Sequence, residues 1–159
     1  MATTLTAATL TVTVSENITL NGSGQGATNT KTFASIAEVT KRILTITTAE
    51  STIATFSAAV ASAGHYVAAD VRYIRFTNLD DTNFITLTFR NQDNDEAAIK
   101  LDAGQSFIWN ADNSGGMVDV LNATQDADAA SDTALGDLTN IQADANTGSC
   151  DLEMFIASV

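Results

Sequence analysis

The chain has 159 residues, 45% of them hydrophobic but only 6% aromatic, and a formal net charge of -12. Residues 1–100 hold all 7 Lys and Arg against 9 acids, whereas residues 101–159 hold 10 acids and no base. This balance repels a phosphate backbone and an anionic membrane surface, so it argues against nucleic acid and membrane as partners and favours a basic protein surface.

The length suits one domain spanning 1–159 with a substantial core. Cys150 is the only cysteine, so no intrachain disulfide can form, and a reducing cytoplasm suits such a chain. The opening MATTLTAATLTVTVSENITL has neither a basic leader nor an apolar run of signal-peptide length, and no later segment approaches a membrane span. We therefore expect a protein made in the cytoplasm and not exported by the usual route. There is no proline, so turns fall to Gly, Asn, Asp and Ser.

Strand alternation begins at Leu10, Val12 and Val14, opposite Thr9, Thr11 and Thr13, and resumes at Ile18 and Leu20. The run Asn21-Gly22-Ser23-Gly24-Gln25-Gly26 has the composition of a mobile loop, and Ser35 to Val39 is ambiguous between helical turn and strand. Strands are predicted over Thr40–Thr47 and Thr52–Phe56. The alanine-rich Ser57 to Gly64 reads as one or two helical turns ended by glycine.

The stretch Val71 to Asn91 carries the clearest pattern. Two alternating strands flank Leu79-Asp80-Asp81-Thr82, and they read as a β-hairpin pairing Phe76 with Ile85 and Ile74 with Leu87 on a core face. Tyr73, Arg75 and Arg90 would share its exposed face, and Arg with Tyr is a pairing enriched at interfaces. Further strands are expected through Ala97, Ile99 and Leu101, through Phe107 to Trp109, and from Met117 to Leu121. Residues 123–149 change character. Acidic and alanine-rich, with Leu135, Leu138 and Ile141 at helix-like intervals, they read as a loop or short-helix excursion before a closing strand over 151–159. Short strands divided by turns every 8–12 residues or so define an all-β antiparallel sandwich or barrel.

Motifs for chemistry are sparse. His65, the only histidine, follows Gly64 and has no companions fixed by spacing. Cys150 lacks a basic sequence neighbour and reads as an inert buried thiol. The glycine run has neither GxGxxG spacing nor a P-loop lysine, and Asp93-Asn94-Asp95-Glu96 lacks EF-hand spacing. We therefore expect no catalytic residue, no metal and no cofactor. Trp109, the only tryptophan, reads as a core or interface aromatic, so the interface candidates are Tyr73, Arg75, Arg90 and Trp109.

Three segments, Asp70-Val71-Arg72-Tyr73-Ile74-Arg75-Phe76-Thr77-Asn78-Leu79-Asp80, Thr86-Leu87-Thr88-Phe89 and Ile99-Lys100-Leu101-Asp102-Ala103-Gly104-Gln105-Ser106-Phe107, resemble small structural proteins of tailed bacteriophages, including marine and cyanobacterial phages. The resemblance covers roughly Val67 to Asn110. It implies a jelly-roll-like β-sandwich that coats or cements a capsid, often as a homotrimer, with the major capsid protein or another virion protein as partner and the virion as location. The alternative is a receptor- or glycan-binding module of a phage fibre, with Trp109 and Tyr66 as sugar platforms.

Overall fold

The computed structural model describes residues 6–111, 114–122 and 135–159. Its strands are β1 (Ala8–Ser15), β2 (Thr19–Leu20), β3 (Ser23–Gly24), β4 (Thr28–Ile36), β5 (Glu38–Thr47), β6 (Ser51–Ser57), β7 (His65–Val67), β8 (Val71–Asn78), β9 (Ile85–Asn91), β10 (Glu96–Leu101), β11 (Ser106–Asn110), β12 (Leu138–Ala145) and β13 (Ser149–Ser158), with one 3-10 turn at Ala68–Asp70. The threonine, valine and isoleucine content that favours pleated surfaces has produced an all-β protein.

Two sheets form the body. One runs β11-β8-β13-β5 and the other β10-β9-β12-β6-β7; all pairs are antiparallel except β6 with β7. Between them lie Ile74, Phe76, Leu152, Met154 and Ile156 from the first sheet, facing Ile85, Leu87, Ile141 and Ala143 from the second, all essentially without solvent contact. At β11 and β9 the gap is closed by a ring cluster: Phe89 lies 5.2 Å from Phe107 and 5.5 Å from Trp109, centroid to centroid.

The strands and the inward row of Val71 to Asn91 are as the alternation predicts, but their pairing is not. β8 pairs with β11 and β13, whereas β9 pairs with β10 and β12. Phe76 therefore lies beside Phe107 and Met154, and Ile85 beside Leu101 and Ala145. The intervening residues cross from one sheet to the other. Buried Asn78 organises the crossing: its amide nitrogen donates to the carbonyls of Asn83 (2.8 Å) and Leu101 (3.1 Å), and its side-chain oxygen accepts from the Asp80 N–H (3.0 Å). Asp80 accepts in turn from the N–H groups of Asn83 and Thr82, which hold its carboxyl below the usual carboxylate range.

Three further expectations are corrected. Leu138 to Ala145, read as part of an acidic excursion, is the central strand between β9 and β6; residues 123–134 of that segment lie outside the described residues. The three-residue step from Leu138 to Ile141 comes from a β-bulge at the pairing with Asn91 and Arg90, which returns both side chains to the core. Of Ser57 to Gly64, Ser57 ends β6 and the remainder forms bends and a turn instead of a helix, and 117–121 contains only the bridge Leu121–Gly136. Gly116 is required where that segment meets the 3-10 turn: its φ is +60°, and an added Cβ would lie 2.3 Å from the Ala68 carbonyl oxygen.

β1 and β4 form an antiparallel ribbon of their own, carrying the short β2–β3 pair at its far end. Within the Asn21 to Gly26 run expected to be a mobile loop, Asn21 and Gly22 form the hairpin turn, with φ of 51° and 78°, both positive as a type I′ turn requires, and Ser23–Gly24 is strand β3.

Candidate interaction surface

The ribbon and the outer face of the β11-β8-β13-β5 sheet form the feature with most functional content. At the ribbon's base, Phe33 and Ile36 are buried against Tyr73 and Ala157, with Leu10, Val12, Phe155 and Val159 packed around them. Phe33 and Ile36 both point inward because a bulge with Ser35 at φ 60° interrupts β4 between them. Tyr73 meets Phe155 edge-on at 5.8 Å and Phe33 at 6.2 Å. Its hydroxyl is pushed above its ordinary pKa by burial, against the opposing charge and hydrogen bond of Arg75.

Beyond this base the same sheet face is uncovered and crossed by a polar chain. Lys41 on β5 pairs with Glu153 on β13 at 3.1 Å, and Glu153 accepts from Arg75 on β8 at 2.5 Å. Arg75 also donates to Thr77 (2.5 Å), whose hydroxyl meets that of Ser106 on β11 at 2.8 Å. The four strands are thus stitched by one row of side chains. Hydrogen bonds from Arg75, then from Lys41, hold the Glu153 carboxyl below its ordinary range. Exposed Ile43, Ile108 and Val39 surround the row.

The sequence-predicted site residues do not share one face. Tyr73 is buried under the ribbon, and Arg75 is half-buried in the charged row. Arg90 lies on the other sheet, ion-paired with Glu96. Trp109 packs into the ring cluster, half-buried, and Tyr66 is buried against Phe56. Sequence reasoning missed Phe33, Lys41 and Glu153. It also missed strand β4, although Thr28, Thr30 and Thr32 mirror the alternation of β1 across an Asn-Gly pair, which is the signal for a hairpin.

His65 lines a crevice of about 260 Å³ with Arg42, Thr52, Thr55 and Gly64. Among the described residues no carboxylate lines that crevice to orient the imidazole, and Arg42 Nη2 is engaged with the Ile53 carbonyl at 3.2 Å. Cys150 is buried, and burial, then Asp80, raises its thiol pKa away from reactivity. Among the described residues no group of three or more His, Cys, Asp or Glu is placed to hold a metal ion, and no helix is long and apolar enough to cross a membrane.

The class that these features define is an all-β sandwich with a two-stranded arm and a partly uncovered sheet face. Compared with known protein families, with curated proteins and with solved structures, the chain gives no significant match in any of the three.

Proposed function

We propose that this chain is a structural protein of a phage virion, a jelly-roll capsid decoration or cement protein that binds the outside of a preassembled shell as a homo-oligomer, most simply a trimer. The observation that carries the reading is strand order. Numbering the eight strands β5, β6, β8, β9, β10, β11, β12 and β13 from one to eight, one sheet runs first, eighth, third, sixth and the other second, seventh, fourth, fifth. With edge strand β7 set aside, that order matches the two-Greek-key winding of a jelly roll, an architecture common in viral capsid and lectin domains, and so supports the reading.

In this reading the protein works by surface complementarity with the major capsid protein or another virion protein. Its acidic body suits a basic partner surface. The fibre alternative, with Trp109 and Tyr66 stacking on sugars, is weakened because both rings already pack against other aromatics. Heating shells with and without the protein tests the reading. Shells lacking it should assemble but burst at lower temperature, because a ligand that binds only the intact lattice stabilises it. Loss of shell assembly on deletion, or imaging that places the protein only on a tail, would overturn it.

A further inference from the structure

The arm is longer than its anchorage. Its apolar contacts with the body end at Leu10, Val12, Phe33 and Ile36, yet the ribbon continues to the Asn21-Gly22 turn, roughly 30 Å further at about 3.3 Å per residue. Along that outer half Val14, Ile18 and Leu20 are exposed, Leu20 to 59%. A two-stranded ribbon with no covering layer is at best marginally stable in water. Its threonine face is cross-linked locally, through Thr13–Thr30 at 3.2 Å and Ser15–Thr28 at 3.0 Å. Nothing equivalent covers the apolar row beyond Val12 among the described residues.

The body has a matching deficit on the outer face of β11-β8-β13-β5. The base of the arm covers the end holding Tyr73 and Ala157; Ile43, 59% exposed, lies beyond it on edge strand β5, and Ile108, 39% exposed, lies level with Arg75 on the opposite edge strand β11. Between them two cations, Lys41 and Arg75, share the single carboxylate of Glu153.

Charge selects the occupant. Residues 6–36 contain one acid, Glu16, and one base, Lys31, so the arm is neutral in a chain of net charge -12. Two acidic bodies repel each other, but an arm reaching from one onto the next adds no net charge. The face it meets is balanced, Lys41 and Arg75 against Glu153 and Asp151, and Lys41, its side chain 59% exposed, is the cation that the arm's one acid can reach. We infer that the outer half of the arm lies on the uncovered half of this sheet face in a second copy of the chain, with Glu16 directed at Lys41. Such an arm-to-face contact is heterologous, so each copy both gives and receives, and it closes into a ring where the rotation allows. The inference rests on the homo-oligomer in the proposed function and names the surfaces that make it.

Sedimentation of the purified full chain tests it, using substitutions at exposed positions whose thermal unfolding should match the parent. The parent should self-associate at micromolar concentration. Ile18→Ser/Leu20→Ser, with a damaged arm, and Ile43→Ser/Ile108→Ser, with a damaged face, should each weaken association at least about tenfold. Mixed in equal amounts, the two variants should form a complex that stops at two copies, because one intact arm and one intact face remain. Glu16→Lys should weaken association, and adding Lys41→Glu in the same chain should restore it. A monomeric parent, an arm variant that associates like the parent, or a mixture that stays monomeric would overturn the inference. An arm variant that associates normally but no longer binds shells would assign the arm to a shell subunit, defeating this inference while leaving the virion reading intact.

Discussion

The body and the arm are made from the same alternation of threonine with valine, leucine and isoleucine, yet only the body covers both ends of its apolar rows. In the sandwich, the row Leu152, Met154, Ile156 on β13 meets a second sheet and is sealed from solvent. In the arm, the row Leu10, Val12, Val14 meets Phe33 and Phe155 at its base and then runs out into water. Period-two alternation thus decides that a segment is a strand and which side is apolar. Whether that side is buried depends on a second layer that the segment does not itself encode.

This contrast can be tested by side-chain removal. Leu152→Ala should cost about 3 kcal/mol in urea unfolding, because it empties a sealed site between two sheets. Leu20→Ala, deleting the same atoms from the arm, should change stability by less than about 0.5 kcal/mol in the dilute monomer. Asn78→Ala should follow, at about 2 kcal/mol, since it strands the carbonyls of Asn83 and Leu101 and the N–H of Asp80 at the sheet crossing.

Phe33→Ala sharpens the comparison further. The ring is 1% exposed, a burial that ordinarily signals a large loss, but it anchors only the arm. The expected loss in global unfolding is about 1 kcal/mol, capped by the docking energy of the arm, since releasing the arm leaves the body folded. Limited proteolysis should cut the variant within residues 8–36 well before it cuts the body.

The smallest effect concerns acid. Because Arg75 and Lys41 depress the folded pKa of Glu153, its contribution is fully present above the unfolded glutamate value, about 4.3, and is lost as pH falls through the lower folded value. Stability of the parent should therefore drop more steeply below about pH 4 than that of Glu153→Gln, with the two curves converging at the acid end.

Much of the body was legible because its signals are local. The strands at Thr40–Thr47, Thr52–Phe56, Val71–Asn78 and Ile85–Asn91, and the inward rows Ile74/Phe76 and Ile85/Leu87, follow from alternation alone. Neighbour relations were not legible. The same rows would face a core whether β8 and β9 were a hairpin or, as found, members of opposite sheets, and the deciding feature is the set of Asn78 and Asp80 hydrogen bonds in the connection. Bulges hid two more elements. At Leu138/Ile141 and at Phe33/Ile36, one added residue turned a strand's period of two into a step of three, which reads as helix in the first case and leaves Ser35 to Val39 ambiguous between helical turn and strand in the second. The charged row Lys41–Glu153–Arg75 joins residues from three strands and has no sequence signature.

Amide hydrogen exchange of the purified chain at two concentrations, one below and one above the onset of self-association, tests most directly the claim that the body is self-sufficient and the arm is not. The account requires amides of β8, β9, β12 and β13 to be equally protected at both concentrations, whereas those of β1 and β4 beyond Val12 and Lys31 gain protection only at the higher one. Outer-arm amides protected to the level of the body in the dilute monomer would contradict it, because the arm would then need no partner.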